Sequence, residues 1–211
     1  MESKTIVISG ARGCVAKAIA KRFKSKGYFV IGISRTGGQL QNYDLIIETN
    51  YDTITLPQHI NKFHVLVNTI GTNSQSIDEC IKVNVDLPNK VVNSIIEKLR
   101  LDGVVINISS VSGLRTGNNK AYSESKSMLE NLTRSMAKKF APTRVMSIAP
   151  AFIQDTNWFN FNDEYRKKIV NETPLHRICT TQDVADAVEC CTDFLKFSTG
   201  STLVLDGGRL L

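Results

Sequence analysis

Short apolar runs of strand length alternate with helical patterns along this chain of 211 residues. Residues 5–9 form a β-branched run that predicts a strand, and Val15, Ala18, Ile19 and Phe23 then recur at helical spacing. Further strand-length runs occur at residues 28–35, 63–67 and 103–110. The run 103–110 is typical of a buried parallel strand, and its carboxyl end would lie at the edge where α/β sheets bind ligands.

Tyr122 and Lys126 are four residues apart, so on a helix the phenol and the ammonium share one face. An unperturbed tyrosine has a pKa near ~10, and a cation at hydrogen-bonding range favours the phenolate and lowers that pKa. Ser110 ends the run 103–110, and a serine with a tyrosine makes a two-donor clamp for a carbonyl oxygen. These residues predict proton transfer at a carbonyl, although such a pair taken alone is more often an ordinary solvent-facing one.

The turn between the first strand and the first helix contains two glycines. Free amide groups and the positive end of a helix attract an anion, and glycine lets the backbone approach a pyrophosphate closely. A phosphate-binding loop is therefore one interpretation of this turn, and a plain strand-to-helix turn is the other. The predicted cofactor-binding residues here are Gly10, Arg12, Gly13, Cys14 and Val15.

The next strand ends in Ser34 and Arg35. An Asp or Glu at this place would bind a free ribose 2′-hydroxyl, whereas arginine suits a 2′-phosphate. The two residues therefore predict that NADP(H) is preferred over NAD(H). Arg12 is a candidate for a second charge on the same phosphate, and a solvated surface position is the alternative for either arginine.

Seven motifs in chain order resemble those of the short-chain dehydrogenase/reductase family over nearly the whole length. They lie at residues 9–13, 68–71, 84, 107–110, 122–126, 150–153 and 199–208. The resemblance implies a Rossmann-type, doubly wound α/β fold, with a mostly parallel, seven-stranded sheet between two layers of helices. The implied strand order is 3-2-1-4-5-6-7.

The same resemblance assigns catalytic roles. Asn84 would be a proton-relay residue that holds a water, and Ser110 would polarise the carbonyl, with Ser109 as the less favoured alternative. Tyr122 would be the general acid or base. Lys126 would activate Tyr122 and bind the nicotinamide ribose.

Further cofactor contacts are implied by the resemblance. Asn68, Ile70 and Gly71 would line the cofactor, Ile153 would meet the nicotinamide carboxamide, and Pro150 belongs to the same set. The glycine loop is similar to a Gly-x-x-Gly-x-x-Gly spacing with Ala16 in place of the last glycine. In that arrangement Gly13, rather than the position of Cys14, is where the pyrophosphate approaches.

The carboxyl-terminal segments 173–185 and 199–208 resemble those of 3-oxoacyl-[acyl-carrier-protein] reductases and related ketoreductases. The resemblance implies an NADPH-dependent oxidoreductase that reversibly reduces a ketone to a secondary alcohol. A 3-oxoacyl thioester, free or linked to a carrier, is the first candidate substrate. The alternatives are the same chemistry on a sugar, polyketide or other biosynthetic ketone, and a non-enzymatic module that binds dinucleotide as a sensor or scaffold.

The chain is expected to form one domain over residues 1–211, since no linker, repeat or low-complexity stretch divides it. A compact substrate lid is expected around residues 155–173. Residues 37–64 hold no long helical pattern, which predicts only a short helix before the fourth strand. Apolar residues on more than one side of two predicted helices favour a homo-oligomer, and the resemblance favours a tetramer over a dimer.

A formal net charge of +6 permits attraction to anions without naming them. The basic residues are not interleaved with aromatics, so no nucleic-acid partner is expected. No apolar run approaches the roughly eighteen residues of a membrane span, and no signal peptide is evident, so we expect a cytoplasmic protein. The five cysteines and three histidines lack metal-ligand spacing, so no metal site is expected.

Overall fold

The computed structural model describes residues 4–115, 117–156 and 162–211, so residues 157–161 of the predicted lid lie outside the described residues. Seven strands form one sheet of order β3-β2-β1-β4-β5-β6-β7, and all neighbouring pairs are parallel. The strands are β1 Thr5–Ser9, β2 Phe29–Ser34, β3 Leu45–Glu48, β4 Phe63–Asn68, β5 Leu99–Ile108, β6 Arg144–Pro150 and β7 Thr202–Leu205. The predicted Rossmann-type fold and its strand order are confirmed.

The helices lie in the connections between these parallel strands. They are α1 Cys14–Ser25, α2 Ile77–Ile81, α3 Leu87–Ile95, α4 Lys120–Lys139, α5 Asp163–Asn171 and α6 Thr181–Asp193. A π-helical turn, Lys82–Asp86, lies between α2 and α3, and single 3-10 turns lie at Ile96–Lys98 and Val111–Gly113.

The sheet separates two apolar cores, because successive residues of a strand point to opposite faces. Ile6 and Ile8 of β1 belong to the core under α1 and α6, where Phe23 is also fully buried. Val7 belongs to the core under α3 and α4, together with residues such as Val91. Strands that are buried on both faces explain why β1 is a continuous apolar run.

The connection between β3 and β4 corrects one expectation. Residues 49–62, all of which the structure describes, contain no helix, so the predicted short helix before the fourth strand is wrong. Its apolar side chains are nevertheless buried: Tyr51, Ile54, Leu56 and Ile60 all pack into the core under α3. The apolar residues of this segment do not recur at helical spacing, so it covers this face of the sheet without forming a helix.

Candidate active site

The predicted site residues gather at one edge of the sheet, because every parallel strand ends there. Gly10 directly follows β1, Arg35 directly follows β2, and Asn68 ends β4. Ser110 comes two residues after β5, and Pro150 ends β6. Five strands therefore each deliver one predicted residue to the edge at which α/β sheets bind ligands.

The serine and tyrosine pair forms as the sequence predicts. Asn119 caps α4 by accepting a hydrogen bond of 3.1 Å from the Tyr122 N–H, which places Tyr122 in the first turn. The Ser110 hydroxyl is a hydrogen-bonding neighbour of the Tyr122 phenol, close enough to act on its pKa. Ser110, rather than Ser109, is thus the serine beside the phenol. The two hydroxyls together can serve one carbonyl oxygen.

The electrostatics of Tyr122 differ from the prediction. Burial raises the pKa of Tyr122 above its ordinary value of 10.0, and the hydrogen bond from Ser110 opposes the rise. Lys126 Nζ donates to the Ile108 carbonyl at 3.0 Å and lies 5.8 Å from the centroid of the Tyr122 ring. The lowered Tyr122 pKa predicted from the sequence is therefore wrong, because desolvation of the phenol outweighs any effect of the ammonium.

Burial also acts on the lysine. It lowers the pKa of Lys126 to about 8, and the nearby Glu130 carboxylate opposes this shift. The side chain is only 3% exposed. Lys126 is therefore mostly charged at neutral pH, but its pKa lies only slightly above that pH.

Asn84 lies on the π-helical turn and is fully buried. Its Oδ1 accepts from the Thr72 N–H at 2.7 Å, and its Nδ2 donates to the Thr72 carbonyl at 2.9 Å and to Ser125 Oγ at 2.8 Å. Turns of π-helix are frequent at functional sites. The side chain thus links the segment after β4 to the helix that carries Tyr122. The relay water assigned to Asn84 stays a prediction.

The glycine loop has one position that only glycine satisfies. Gly10 has φ of +75°, and a β-carbon there would lie 2.9 Å from Thr69 Oγ1. Gly13 has a φ of −67° and caps α1 without a side chain, so this residue offers no side-chain acceptor to the N–H groups of the first turn, which begins with Cys14 and Val15. The loop therefore fits an anion such as the pyrophosphate of a dinucleotide.

The two arginines predicted to read the ribose lie close to one another in the fold. Ser34 is buried at the end of β2, and Arg35 is exposed immediately after it. Arg12 Nε donates to the Thr36 carbonyl at 3.4 Å, and its guanidinium also donates to the Gly37 carbonyl. Both cations thus border the loop after β2.

Asn68 takes part in a buried ladder of hydrogen bonds. Ser9 Oγ donates to Asn68 Oδ1, Asn68 Nδ2 donates to Asn107 Oδ1, and Asn107 Nδ2 donates to Thr133 Oγ1, each at 2.9 Å. The ladder ties β1, β4 and β5 to α4 and so positions the segment with Ile70 and Gly71. The Asn68 side chain is engaged with its neighbours, and its cofactor contact stays a prediction.

The segment after β6 is also anchored. Ile153 pairs with Cys179 in an isolated parallel bridge, and the Gln154 N–H donates to the Cys179 carbonyl at 2.9 Å. A cavity of about 70 Å³ lies beside this segment, between α5 and the chain end, and its lining includes Phe152 and Ile169. Ser110 and Tyr122 do not line it, so this cavity is adjacent to the catalytic cluster rather than part of it.

Two buried residues near the site were not predicted from the sequence. Tyr51 donates from its hydroxyl to the Ile33 carbonyl at 3.2 Å and accepts from the Gly10 N–H at 3.3 Å, so it supports the glycine loop. No local pattern marks Tyr51, since its place depends on the irregular segment 49–62. Glu130 is 3% exposed and follows Lys126 by four residues, a spacing that could have been noticed.

The described residues contain neither a membrane-spanning helix nor a cluster of metal ligands. No helix in residues 4–115, 117–156 and 162–211 is long and apolar enough to cross a membrane. Within the same ranges, no group of three or more His, Cys, Asp or Glu side chains is arranged to hold a metal ion.

Comparison with known proteins decides the family. A family model described as Enoyl-(Acyl carrier protein) reductase matches residues 55–209. This chain belongs to the short-chain dehydrogenase/reductase family. This membership confirms the predicted oxidoreductase class. Proteins of the family bind a nicotinamide dinucleotide.

Several members of the short-chain dehydrogenase/reductase family are similar over the full chain. The 3-oxoacyl-[acyl-carrier-protein] reductase FabG of Rickettsia conorii is 28% identical, covering 100% of this chain and 98% of the relative. FabG of Aquifex aeolicus is also 28% identical, covering 97% and 86%. The ligand-free aldohexose dehydrogenase of Thermoplasma acidophilum superposes with a TM-score of 0.84 at 28% identity, covering 99% of this chain and 94% of that one.

Proposed function

We propose that this protein reduces a ketone to a secondary alcohol with NADPH, and that Tyr122 is the general acid. The placement of the Ser110 hydroxyl beside the Tyr122 phenol, at the carboxyl edge of the sheet, carries this proposal. Burial raises the pKa of Tyr122, so the phenol holds its proton at neutral pH. A protonated donor is what an oxygen needs as it becomes an alcohol, which favours the reduction direction.

The other residues of the cluster have separate tasks. NADPH, when bound, supplies a hydride to the carbonyl carbon. Ser110 donates a hydrogen bond that stabilises negative charge on the oxygen, and Tyr122 then gives its proton to that oxygen. The Lys126 ammonium provides a positive charge near the phenol and donates hydrogen bonds to the ribose hydroxyls. Asn84 holds the π-helical turn against Ser125 and so keeps α4 in place.

The cofactor preference rests on the loop after β2. Arg35 is exposed beside the buried Ser34, and Arg12 is fastened to the carbonyls of the same loop. No Asp or Glu stands at the end of β2 to accept from a free 2′-hydroxyl, since Ser34 and Arg35 occupy that place. Two guanidinium groups at one loop favour a 2′-phosphate and hence NADPH over NADH.

The substrate is proposed to be a 3-oxoacyl thioester, either free or linked to an acidic carrier. The FabG proteins of Rickettsia conorii and Aquifex aeolicus, to which this chain is similar over nearly its full length, support this choice. Helix α5, in the lid, carries the consecutive basic residues Arg166, Lys167 and Lys168, which suit an anionic carrier surface. The likeness to an aldohexose dehydrogenase keeps a sugar carbonyl as the second candidate.

We also propose that the protein acts as a homo-oligomer, either a tetramer or a dimer. Val204 on the edge strand β7 is 41% exposed, and Met128 on α4 is 40% exposed. Large apolar side chains at an open sheet edge and on a helix face are suited to a second copy of the chain. Light scattering at micromolar concentration tests this, and a strictly monomeric mass would contradict it.

The decisive experiment compares Tyr122→Phe with the matched control Tyr28→Phe, whose ring lies in the core under α1. NADPH oxidation is followed with each of three substrates: a 3-oxoacyl thioester, a sugar ketone and a simple cyclic ketone. We expect Tyr122→Phe to bind NADPH within a few-fold of the wild-type affinity and to lose roughly a hundred- to ten-thousand-fold in turnover. Near-normal turnover in Tyr122→Phe would refute the mechanism.

The same panel separates an enzyme from a sensor or scaffold. If the wild-type protein binds NADPH in a calorimetric titration but reduces none of the carbonyls, the non-enzymatic alternative is favoured. The intact set of Asn84, Ser110, Tyr122 and Lys126 is the reason we expect turnover instead.

A further inference from the structure

Helix α4 carries a third ionisable residue in line with Tyr122 and Lys126. Glu130 follows Lys126 at the same four-residue spacing that separates Lys126 from Tyr122, so the three side chains occupy one face on successive turns. Lys126 and Glu130 are each 3% exposed. An ionised carboxyl at such depth is costly unless an opposite charge or hydrogen bonds compensate it.

The hydrogen bonds of Glu130 serve only one of its two oxygens. Ser147 Oγ donates to Oε2 at 2.6 Å, and Thr202 Oγ1 donates to the same oxygen at 2.5 Å. The other oxygen, Oε1, is buried and has no hydrogen-bond partner among the described residues. The donors on β6 and β7 thus orient the carboxylate but leave it half-satisfied. The Lys126 ammonium on the preceding turn donates to the Ile108 carbonyl rather than to this oxygen, so Lys126 and Glu130 interact as neighbouring charges and not as a hydrogen-bonded pair.

Glu130 is the carboxyl group that acts on Lys126. Glu130 comes first among the charges that oppose the effect of burial on the Lys126 pKa, and the Cys80 thiol of α2 comes second. Burial raises the pKa of Cys80, so this thiol is neutral at neutral pH, and Glu130 is the carboxyl group that shares the α4 face with Lys126.

The other elements packed on α4 contribute no further charge to Lys126 within the described part of the chain. Arg144 on β6 donates to the Cys191 and Leu195 carbonyls of the α6 region instead. Lys82 and Asp86 on the π-helical turn, and Asp78 and Glu79 on α2, do not contribute to the Lys126 pKa. The 3-10 turn Val111–Gly113 carries no ionisable side chain.

We propose that Glu130 is a positioning residue that holds Lys126 in its charged form, and that it thereby sets the upper pH limit at which the Tyr122 and Lys126 pair works. The first half of this statement concerns the folded chain alone. The second half rests on the proposed function. Removing the negative charge would favour deprotonation of both Lys126 and Tyr122, so both effects move that limit in the same direction, to lower pH.

The test for the first half is the titration of Lys126 in the protein without cofactor or substrate. The protein is labelled with carbon-13 at lysine Cε, and Lys126→Arg identifies the Lys126 resonance. We expect the titration midpoint of Lys126 to fall in Glu130→Gln by on the order of one pH unit. The glutamine oxygen can still accept from Ser147 and Thr202, so only the charge is lost. Ser147→Ala is the matched control, since it removes a hydrogen bond but keeps the carboxylate.

An unchanged midpoint in Glu130→Gln would overturn the proposal, and so would an equal fall in Ser147→Ala. If Glu130→Gln does not fold, Glu130→Asp gives the same test, because it withdraws the carboxylate by one methylene and lowers the midpoint by a smaller amount.

The second half is tested by the pH profile of kcat/KM for NADPH-dependent reduction. We expect the alkaline limb of Glu130→Gln to move to lower pH by the same amount as the Lys126 midpoint, with the limb of Ser147→Ala unmoved. A uniformly reduced rate with an unmoved limb would show a merely structural role and overturn the second half. A shifted Lys126 midpoint in a protein that reduces no carbonyl would refute the proposed function and leave the charge coupling standing.

Discussion

Asn84 Nδ2 donates a hydrogen bond of 2.8 Å to Ser125 Oγ, which joins the π-helical turn 82–86 to the helix that carries Tyr122 and Lys126. Ser125 Oγ in turn donates to the Tyr122 carbonyl at 2.8 Å. The position of the proposed acid thus depends on a residue about forty positions earlier in the chain, through side-chain hydrogen bonds rather than direct contact.

Replacing Asn84 by alanine should therefore affect both stability and turnover. The Thr72 N–H would lose its acceptor in a partly buried place, which costs up to about 1–3 kcal/mol in the free energy of unfolding. Urea denaturation measures this loss, and steady-state kinetics should show a larger fall in kcat than in NADPH affinity. Ser94→Ala, an exposed position on α3, is the control. Wild-type stability and kcat in Asn84→Ala would contradict the coupling.

The two loop glycines should behave differently on mutation to alanine. Gly10→Ala should lose at least about 1–2 kcal/mol of stability, because its φ of +75° is left-handed. Gly13→Ala should leave thermal unfolding almost unchanged but weaken NADPH binding clearly, since its φ suits any residue and the pyrophosphate is expected to approach there. If Cys14→Gly instead tightens NADPH binding tenfold or more, the position of Cys14 is the approach point.

The cofactor preference should depend on Arg35. We expect NADPH to bind more tightly than NADH, and Arg35→Ala to narrow the gap by about 1.5–3 kcal/mol, the value of a hydrogen bond to a charged group. Calorimetric titrations with both cofactors measure the gap. Arg134→Ala, on the exposed side of α4, should leave it unchanged. Equal affinities in the unmutated protein would be inconsistent with the proposed 2′-phosphate site.

The buried ammonium of Lys126 predicts a rise in stability at alkaline pH. The pKa of Lys126 is about 8 in the folded protein and 10.5 when unperturbed. Between these values the unfolded chain binds a proton that the folded protein has released, so the free energy of unfolding rises with pH, by about 3 kcal/mol in all. Below pH 8 the folded protein bears the full cost of the buried charge.

The measurement is the difference in unfolding free energy between wild type and Lys126→Met across pH 7 to about 10.5. The free energy of unfolding of the wild type should increase relative to that of Lys126→Met as pH rises. Lys21→Met, at an exposed position on α1, should give a curve parallel to the wild type. A parallel curve for Lys126→Met would show that Lys126 titrates normally.

The sequence by itself determined the fold and most of the candidate site. Strand-length apolar runs, helical spacing and polar residues directly after strands predicted the local elements. The resemblance to the short-chain dehydrogenase/reductase family supplied the strand order and the roles of residues such as Asn84 and Asn68. Because parallel strands all end at one edge, Gly10, Arg35, Asn68, Ser110 and Pro150 had to converge once the sheet was assigned. The four-residue spacing of Tyr122 and Lys126 fixed their common face in the same way.

Only the tertiary structure decided how these groups behave. A pKa depends on desolvation by segments distant in sequence, so the rise in the Tyr122 pKa contradicted a prediction made from its neighbour alone. The partners of Asn84 and the support of Gly10 by Tyr51 likewise join segments far apart in the chain. Local spacing shows which side chains share a face, whereas packing decides what surrounds them and therefore which charges they carry.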